Sequence, residues 1–555
     1  MTAGVRQQAR DASGPCARRW PPPPVLLALL VGLAGVGYRL ALLLADTPRT
    51  NSDEATMGLA ALHIARGEDF PVFFYGQAYM GALEAYLAAP LFALAGPSVL
   101  ALRLPLLASY ALFLFLGWRL TRRLGGDRWF ALLVVGVLAL GSDRIVKNQL
   151  IAGGGYPELN PIGVALALLT LDLAAGRPTG RPWRFAGFGL LAGLVLWVDP
   201  LLLPYLLALG AVLVWAARRE LRGRHGLLLV GAALLGAAPL LGHSLAHGRN
   251  PVAAVLAAGG GDATAGWVDR LHGGLVLGPP LGMGLCSPSH CAPWQLWWAV
   301  ALPVLLVLAG LSAWRTLRPL AGGPRTESIK GRQSRTTGPS GAAVRLALVL
   351  GAVGTLAAYT VSSAAGRTPV ESSRYLSCLL ISTPPLLWPL WQAARRPGNR
   401  EPRGGREQAG GPAAGRTAPV RVAAVGALVA LVATATVATA GTLTTVPANR
   451  AEAQRHRALV DALRERGVRQ VYGEYWTCNR LTFAAREEIV CAVLDERLRP
   501  GFDRVPAYRR AVERAADPAY VAPLGSPLAA RLDQRPPAGL TAVTVDGWRI
   551  WLPAR

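Results

Sequence analysis

Asn51-Ser52-Asp53-Glu54-Ala55-Thr56-Met57-Gly58 follows directly on an apolar run at 25–45, and these residues decide the reading of the chain. The run is about as long as a membrane crossing needs, roughly 20 residues. A cleavable leader has a shorter apolar core and a small residue near its end, where this run has Leu43. It therefore reads as an uncleaved anchor. Two carboxylates then stand a few residues beyond the membrane edge. A helix is predicted from Asp53 to Arg66, closed by Gly67, with Met57, Ala60, Ala61 and Ile64 on one face, lying along the membrane surface. Asp53 has two readings there, as the cap of that helix or as a group that deprotonates a hydroxyl or holds a metal.

Outward from this point the polar signal continues. Phe74-Tyr75-Gly76-Gln77-Ala78-Tyr79-Met80-Gly81-Ala82-Leu83-Glu84 places Tyr75, Gln77, Tyr79 and Glu84 in an otherwise apolar segment. Glu84 is expected at membrane depth on a second surface helix, where a carboxylate is costly and marks function; the structural alternative is a pair with Arg103 in Ala101-Leu102-Arg103-Leu104-Pro105. A second polar stretch carries Arg144 and Lys147, suited to a phosphate. Gly153-Gly154-Gly155-Tyr156-Pro157-Glu158 follows, read either as a helix start or as part of a site. Arg374 opens a later span and either snorkels or meets a lipid phosphate.

The remaining composition agrees with a membrane protein. Of 555 residues 52% are hydrophobic and 16% charged, with mean hydropathy +0.34, against about 25% charged in soluble chains. Further apolar runs lie at 99–118, 129–141, 157–175, 185–198, 201–217, 226–242, 295–314, 343–362, 375–393 and 419–445, giving eleven spans. The net charge of +25 resides mainly in short loops, which argues against nucleic acid as partner. Basic loops stay inside. With eleven spans, loops 119–128, 177–184, 218–225, 315–345 and 395–421 and the N-terminus share one face, while loop 46–98, with six acidic and two basic residues, lies on the other. The N-terminus is thus expected in the cytoplasm and the C-terminus outside.

Three regions are predicted: a disordered cytoplasmic segment 1–24, a membrane domain 25–445, and an external α/β domain 446–555. The membrane domain contains the first external loop 46–98 and flexible cytoplasmic loops 315–342 and 395–418, rich in Gly, Arg, Pro and Ser. In the last region a helix at 449–466, strands at 468–472 and 489–494, and a hairpin about Asp546-Gly547 are expected. Cys286 and Cys291 share one external loop, and Cys478 and Cys491 share the tail. Four external cysteines allow two bridges in three connectivities, local pairing (Cys286–Cys291, Cys478–Cys491) being the simplest. Cys16 and Cys378 read as inert. His243, His247, His272 and His290 lack a metal-binding spacing.

The span, the external Asp53-Glu54, the Tyr75–Glu84 motif and Ala101–Pro105 together resemble the C-type superfamily of membrane glycosyltransferases (GT-C). The likeness is to its bacterial Rgt-type, protein O-mannosyltransferase-like branch. Gly154–Glu158, Trp197-Val198-Asp199-Pro200, Tyr472–Trp476 and Arg480–Phe483 are similar to that branch as well. The resemblance implies an all-α polytopic fold with an external domain, in a bacterial plasma membrane. It implies transfer of a hexosyl or pentosyl group from a polyprenyl-phosphate donor to an external acceptor on a glycan, lipid or protein, with inversion. Asp53 matches the general base, with Glu54 beside it. Glu84 and Glu158 are candidates for a second acid. A divalent cation held by Asp53 and Glu84 is a further option. Arg144, Lys147 and Arg374 are candidates for the departing phosphate, and Tyr75, Gln77, Tyr79, Arg103 and Tyr156 for the rest of the substrate. The alternative is a transporter or flippase for a polyprenyl-linked glycan, which predicts broken helices and polar groups at midplane with internal repeats. A non-enzymatic scaffold presenting the tail is a second rival.

Overall fold

A computed structural model describes residues 22–248, 250, 253, 264–318, 338–395 and 417–553. The predicted disordered segment 1–24 lies almost wholly outside the described residues, as do most of loops 315–342 and 395–418. The rest is mainly helical, with one sheet near the C-terminus.

Among the described residues, seven helices are long and apolar enough to cross a membrane, or nine if two sharply bent pairs each count as one. The first four that matter for the site are α1 (Pro23–Leu44), α2 (Ser52–Arg66), α3 (Leu83–Ala95) and α4 (Val99–Arg123). Next come α5 (Arg128–Ala139) and α6 (Asp143–Leu150), bent by 89° against each other, then α7 (Tyr156–Ala174) and α8 (Arg181–Val198). The expected count of eleven is not reproduced. The span expected at 185–198 is α8, whose first turn carries Arg181 and Arg184 and lowers its mean hydropathy. The span expected at 375–393 is composite, a 3-10 segment Ser373–Ser382 followed by a helix Thr383–Arg395.

Arg39 holds the α5–α6 bend. It is fully buried in α1, donates to the Ala139 carbonyl at 2.9 Å and to Gln149 Oε1 at 2.8 Å, and stacks on Tyr110. A cation at the C-terminal end of α5 also meets the negative end of its dipole. The bend turns α6, and with it Arg144 and Lys147, away from the line of α5.

The C-terminal region continues from a long helix, Val446–Glu465, into a five-stranded sheet of order β2-β1-β3-β5-β4. β1 (Gln470–Gly473) pairs parallel with β2 (Val490–Val493) and β3 (Ala519–Pro523), and β3 pairs antiparallel with β5 (Trp548–Pro553). β4 (Leu540–Val545) and β5 form a hairpin. Its two-residue turn, Asp546-Gly547, has both residues at positive φ, the twist that suits a tight hairpin. β3 is bounded by Asp517-Pro518 and Gly525, but at five residues it is too short to show the alternation that identifies a strand. Disulfides join Cys286 to Cys291 and Cys478 to Cys491, and Cys378 is buried and free.

The segment 46–98 departs from the expected surface arrangement. Helix α2 is buried over nearly its whole length, from Ser52 to His63, rather than along one face. The C-terminal region lies over it through the helix Tyr475–Ala484, whose Phe483 enters the cluster formed by Ala55, Met57, Leu59, Phe92 and Leu102. Gly58 permits this: a Cβ there would meet the Phe483 ring at 2.6 Å. A Gly58→Val substitution is expected to destabilise this seam by about 1–3 kcal/mol through overpacking. The measurement is thermal unfolding, together with limited proteolysis between 446 and 475; an unchanged melting temperature and cleavage pattern would refute the seam.

Candidate functional site

Asn51, not Asp53, caps α2. Its side-chain oxygen accepts from the Glu54 amide at 2.8 Å, and Asp53 is thereby released from the capping role. The next two carboxylates then diverge. Glu54 points into the protein interior, where Arg103 of α4 donates Nε and Nη2 to its two oxygens, both at 2.6 Å, with neither side chain exposed. Arg103 also reaches Thr50 Oγ1 at 3.3 Å. Glu54 and Arg103 were candidates for catalysis and substrate binding; they are closed off from any substrate by each other. The pair predicted between Glu84 and Arg103 is absent for the same reason.

Asp53 faces the C-terminal region. Tyr475 donates its hydroxyl to Oδ1 at 2.7 Å, and Arg504 donates Nη2 to the same oxygen at 3.1 Å. Arg504 Nε donates to the Tyr475 hydroxyl at 2.8 Å, closing a triangle. The Arg504 guanidinium lies over Phe74 at 4.6 Å and is 8% exposed, while the Asp53 side chain is 30% exposed. Burial and the Asp53 charge hold the Tyr475 phenol well above its usual range, so it remains a donor. Both bonds fall on Oδ1, and Oδ2 stays open. Arg504 was not found from the sequence, because one arginine in an arginine-rich chain gives no signal. Tyr475 orients Asp53 through its hydroxyl.

The glycine turn gathers the other acids. Gly153 and Gly155 have φ of +133° and +69°, which side-chain-bearing residues rarely adopt. Their amides donate to Glu84 at 2.5 and 3.2 Å. Gly153 runs past Asp53, and a Cβ on Gly155 would stand 3.7 Å from the Asp199 Cβ. Asp53, Glu84 and Asp199 thus surround one turn. Burial first, and the neighbouring Glu158 charge second, push Glu84 well above the usual carboxylate range against the pull of these amides. The Glu158 oxygens find no hydrogen-bond donor. Burial pushes Asp199 up to about 7, although it accepts from the Leu201 amide at 2.8 Å.

A cationic wall faces these acids. Arg144, Lys147 and Arg374 lie within electrostatic reach of one another, and Lys147 also of Asp53. Among the described residues none of the three forms an ion pair with a carboxylate. Arg144 donates to the Val370 carbonyl at 2.7 Å, and the Nε atoms of Arg144 and Arg374 have no partner. Tyr156 and Tyr375 flank the Arg374 guanidinium at 5.6 and 5.4 Å, and Tyr79 lies near Arg374, Asp199 and Arg504. The predicted residues Asp53, Tyr79, Glu84, Arg144, Lys147, Tyr156, Glu158 and Arg374 are therefore brought together. Gln77 keeps a buried Oε1 without a partner. Tyr75 is turned elsewhere: its hydroxyl donates to Asp69 at 2.9 Å and meets His63 Nδ1 at 2.7 Å, in a network with Glu487 and Tyr508 that sews α2 to the C-terminal region.

A divalent cation does not suit Asp53 and Glu84. Arg504 already occupies one Asp53 oxygen, and backbone amides occupy Glu84. Among the described residues the one group of three potential ligands within 4.8 Å is His63, Glu68 and Glu487, and there the Arg66 guanidinium sits 2.5 Å from Glu487.

The Glu54–Arg103 pair yields a stability prediction. Glu54→Gln leaves a buried guanidinium without its anion and is expected to cost about 3–5 kcal/mol, with Glu54→Leu/Arg103→Met recovering most of it. Thermal unfolding of the purified variants decides this; equal stability of Glu54→Gln and the parent protein would refute it.

No protein family model and no curated protein sequence matches the chain. Two solved structures are similar across nearly its whole length. ArnT from Cupriavidus metallidurans bound to undecaprenyl phosphate aligns with TM-score 0.56 and 14% identity, covering 95% of this chain and 97% of that one. The same protein in the apo state gives 0.55 over the same shares. At this identity the likeness is one of architecture: the chain has the fold of the ArnT structures.

Proposed function

We propose that the protein transfers a sugar from a polyprenyl-phosphate donor to a hydroxyl on an external glycan, lipid or protein acceptor, with inversion and with Asp53 as general base. The observation that carries this reading is Asp53 itself. One of its oxygens is fixed by Tyr475 and Arg504, the other is open, and three cations without carboxylate partners stand nearby. The similar ArnT structure holds undecaprenyl phosphate, the kind of carrier such a wall would accept.

In this mechanism the acceptor hydroxyl approaches the anomeric carbon from the side opposite the phosphate. Its oxygen forms the new glycosidic bond as its proton passes to Asp53 Oδ2. The anomeric carbon–phosphate oxygen bond breaks, and the electron pair leaves with polyprenyl phosphate. Arg144, Lys147 and Arg374 meet the charge that develops there. An activated phosphate needs no acid to leave. Tyr79 and Tyr156 offer ring surface and hydroxyls to the sugar. The open face of Asp53 is external in this reading, the N-terminus is cytoplasmic, and the membrane is the bacterial plasma membrane. The basic loops and the Cys478–Cys491 bridge support that orientation.

Asp53→Asn is expected to lower transfer from a polyprenyl-phosphate sugar by about 10²–10⁴-fold with protein abundance unchanged, and to lower the melting temperature modestly because Arg504 loses its anion. Lys147→Gln is expected to raise KM for the donor more than it lowers kcat. The assay is consumption of a panel of polyprenyl-phosphate sugars by purified enzyme in detergent; full activity of Asp53→Asn removes the base assignment. For the orientation, Asp461→Cys should be alkylated from outside only, and labelling from the cytoplasm would reverse the topology.

A further inference from the structure

A polar cavity opens beside Arg103, and Asp53 is not among its lining residues. Its volume is about 330 Å³, at the small end of the range for ligand pockets, about 300–1,000 Å³. Its walls come from the outer ends of α1 and α4, the intervening loop, and two helices of the C-terminal region.

The lining has an unusual balance of charge. Four arginines (Arg49, Arg103, Arg457, Arg480) face the cavity, with Asp46 and Glu452. Arg103 is neutralised by Glu54 behind it, and Arg457 by Asp46 at 3.1 Å. Glu452 serves two cations at once, Arg480 at 2.8 Å and Arg49 at 3.1 Å. One positive charge is left over. Two buried nitrogens on the same wall also lack partners. His456 is 7% exposed and its Nε2 bonds to nothing; Arg480 is 6% exposed and its Nε bonds to nothing. Arg480, Arg49 and Arg457 gather about His456, which concentrates positive charge on this wall.

The remaining wall is apolar. Leu43, Val99 and Leu100 line the cavity, and the leucines Leu40, Leu44, Leu100 and Leu104 continue outward as exposed positions of α1 and α4. Charge thus gives way to hydrocarbon surface along two spans. We propose that this cavity binds the phosphodiester headgroup of an anionic membrane lipid, with the acyl chains lying against α1 and α4. A diester brings one negative charge, which matches the single excess cation. Its oxygens would meet the exposed guanidinium groups of Arg49 and Arg457. The bound lipid then ties the C-terminal region to the membrane helices at a place distinct from the proposed donor site.

The test uses the full chain in detergent, titrated with dihexanoyl phosphatidylglycerol, with the soluble diester glycerophosphoglycerol, and with dihexanoyl phosphatidylcholine. Affinity and the rise in unfolding temperature are measured. Phosphatidylglycerol is expected to bind and stabilise, with each of the other two weaker by about tenfold or more. The double variant Arg49→Gln/Arg457→Gln is expected to lose about tenfold in affinity, the loss of charged hydrogen bonds. Both residues are more than half exposed, at 58% and 56%, so its unfolding temperature without lipid should match the parent's. Asp53→Asn should bind phosphatidylglycerol as the parent does, which separates this site from the proposed donor site. The proposal is overturned if the double variant binds like the parent or if phosphatidylcholine binds equally well. It is also overturned if the soluble diester binds as tightly as the lipid, or if Asp53→Asn alone abolishes binding.

Discussion

A carboxylate and a guanidinium buried together, Glu54 and Arg103, fix the geometry from which the rest of the site follows. Neither ion is stable alone in that environment, and removing one leaves the other's desolvation unopposed. The pair therefore pins the first turn of α2 against α4. Adjacent residues of a helix project about 100° apart, so anchoring Glu54 inward commits Asp53 to another direction. That direction is toward the C-terminal region, where Tyr475 and Arg504 meet it. Two neighbouring acids of similar appearance thus have unlike roles. One is structural and closed, and the other is held by a single oxygen and left open.

The C-terminal region is part of the site rather than an appendage. It buries α2 through Phe483, which Gly58 admits, and it sews the other end of the helix through Glu487, His63 and Tyr75. Burial works against Glu487 staying charged, yet hydrogen bonds from His63 and Tyr508 and the Arg66 charge bring it below the ordinary carboxylate range. The network is thus a charged seam, not a set of neutral contacts. A helix expected to float on the membrane surface becomes an internal element, because its outer face finds a protein partner instead of water. Sequence periodicity describes which residues avoid water and is silent about what covers them.

The same distinction separates what was legible from what was not. Long apolar runs announce spans, since hydrocarbon imposes a length and an absence of charge. The helical membrane fold with a small sheet at the end was readable on that ground, and so were the gathered residues of the short motifs, Asp53, Glu84 and Glu158 among them. The total of eleven spans was not, because a run such as 375–393 has the composition of a span while its backbone changes from 3-10 to α-helix partway. Arg504 was illegible for a different reason. Its importance lies in a contact across 451 residues, and nothing local distinguishes it from other arginines. The pairing of Arg103 with Glu54 rather than Glu84 is likewise a choice between two acids that only the path of the chain makes.

The cationic wall has a cost that bears on how the site works. Arg144, Lys147 and Arg374 repel one another, and partial burial weakens the screening that would relieve this. No carboxylate among the described residues offsets them directly. A bound phosphate would, and the relief adds to its affinity without any movement of the protein. The acids stand apart from that wall, with Glu84 restrained by amides and Asp53 restrained by Arg504, so they do not neutralise the cations in advance. In the proposed mechanism, keeping the two sets near but unpaired is what would let the site both receive an anion and accept a proton beside it. A sequence that let Asp53 fold back onto Lys147 would gain a salt bridge and lose both capacities.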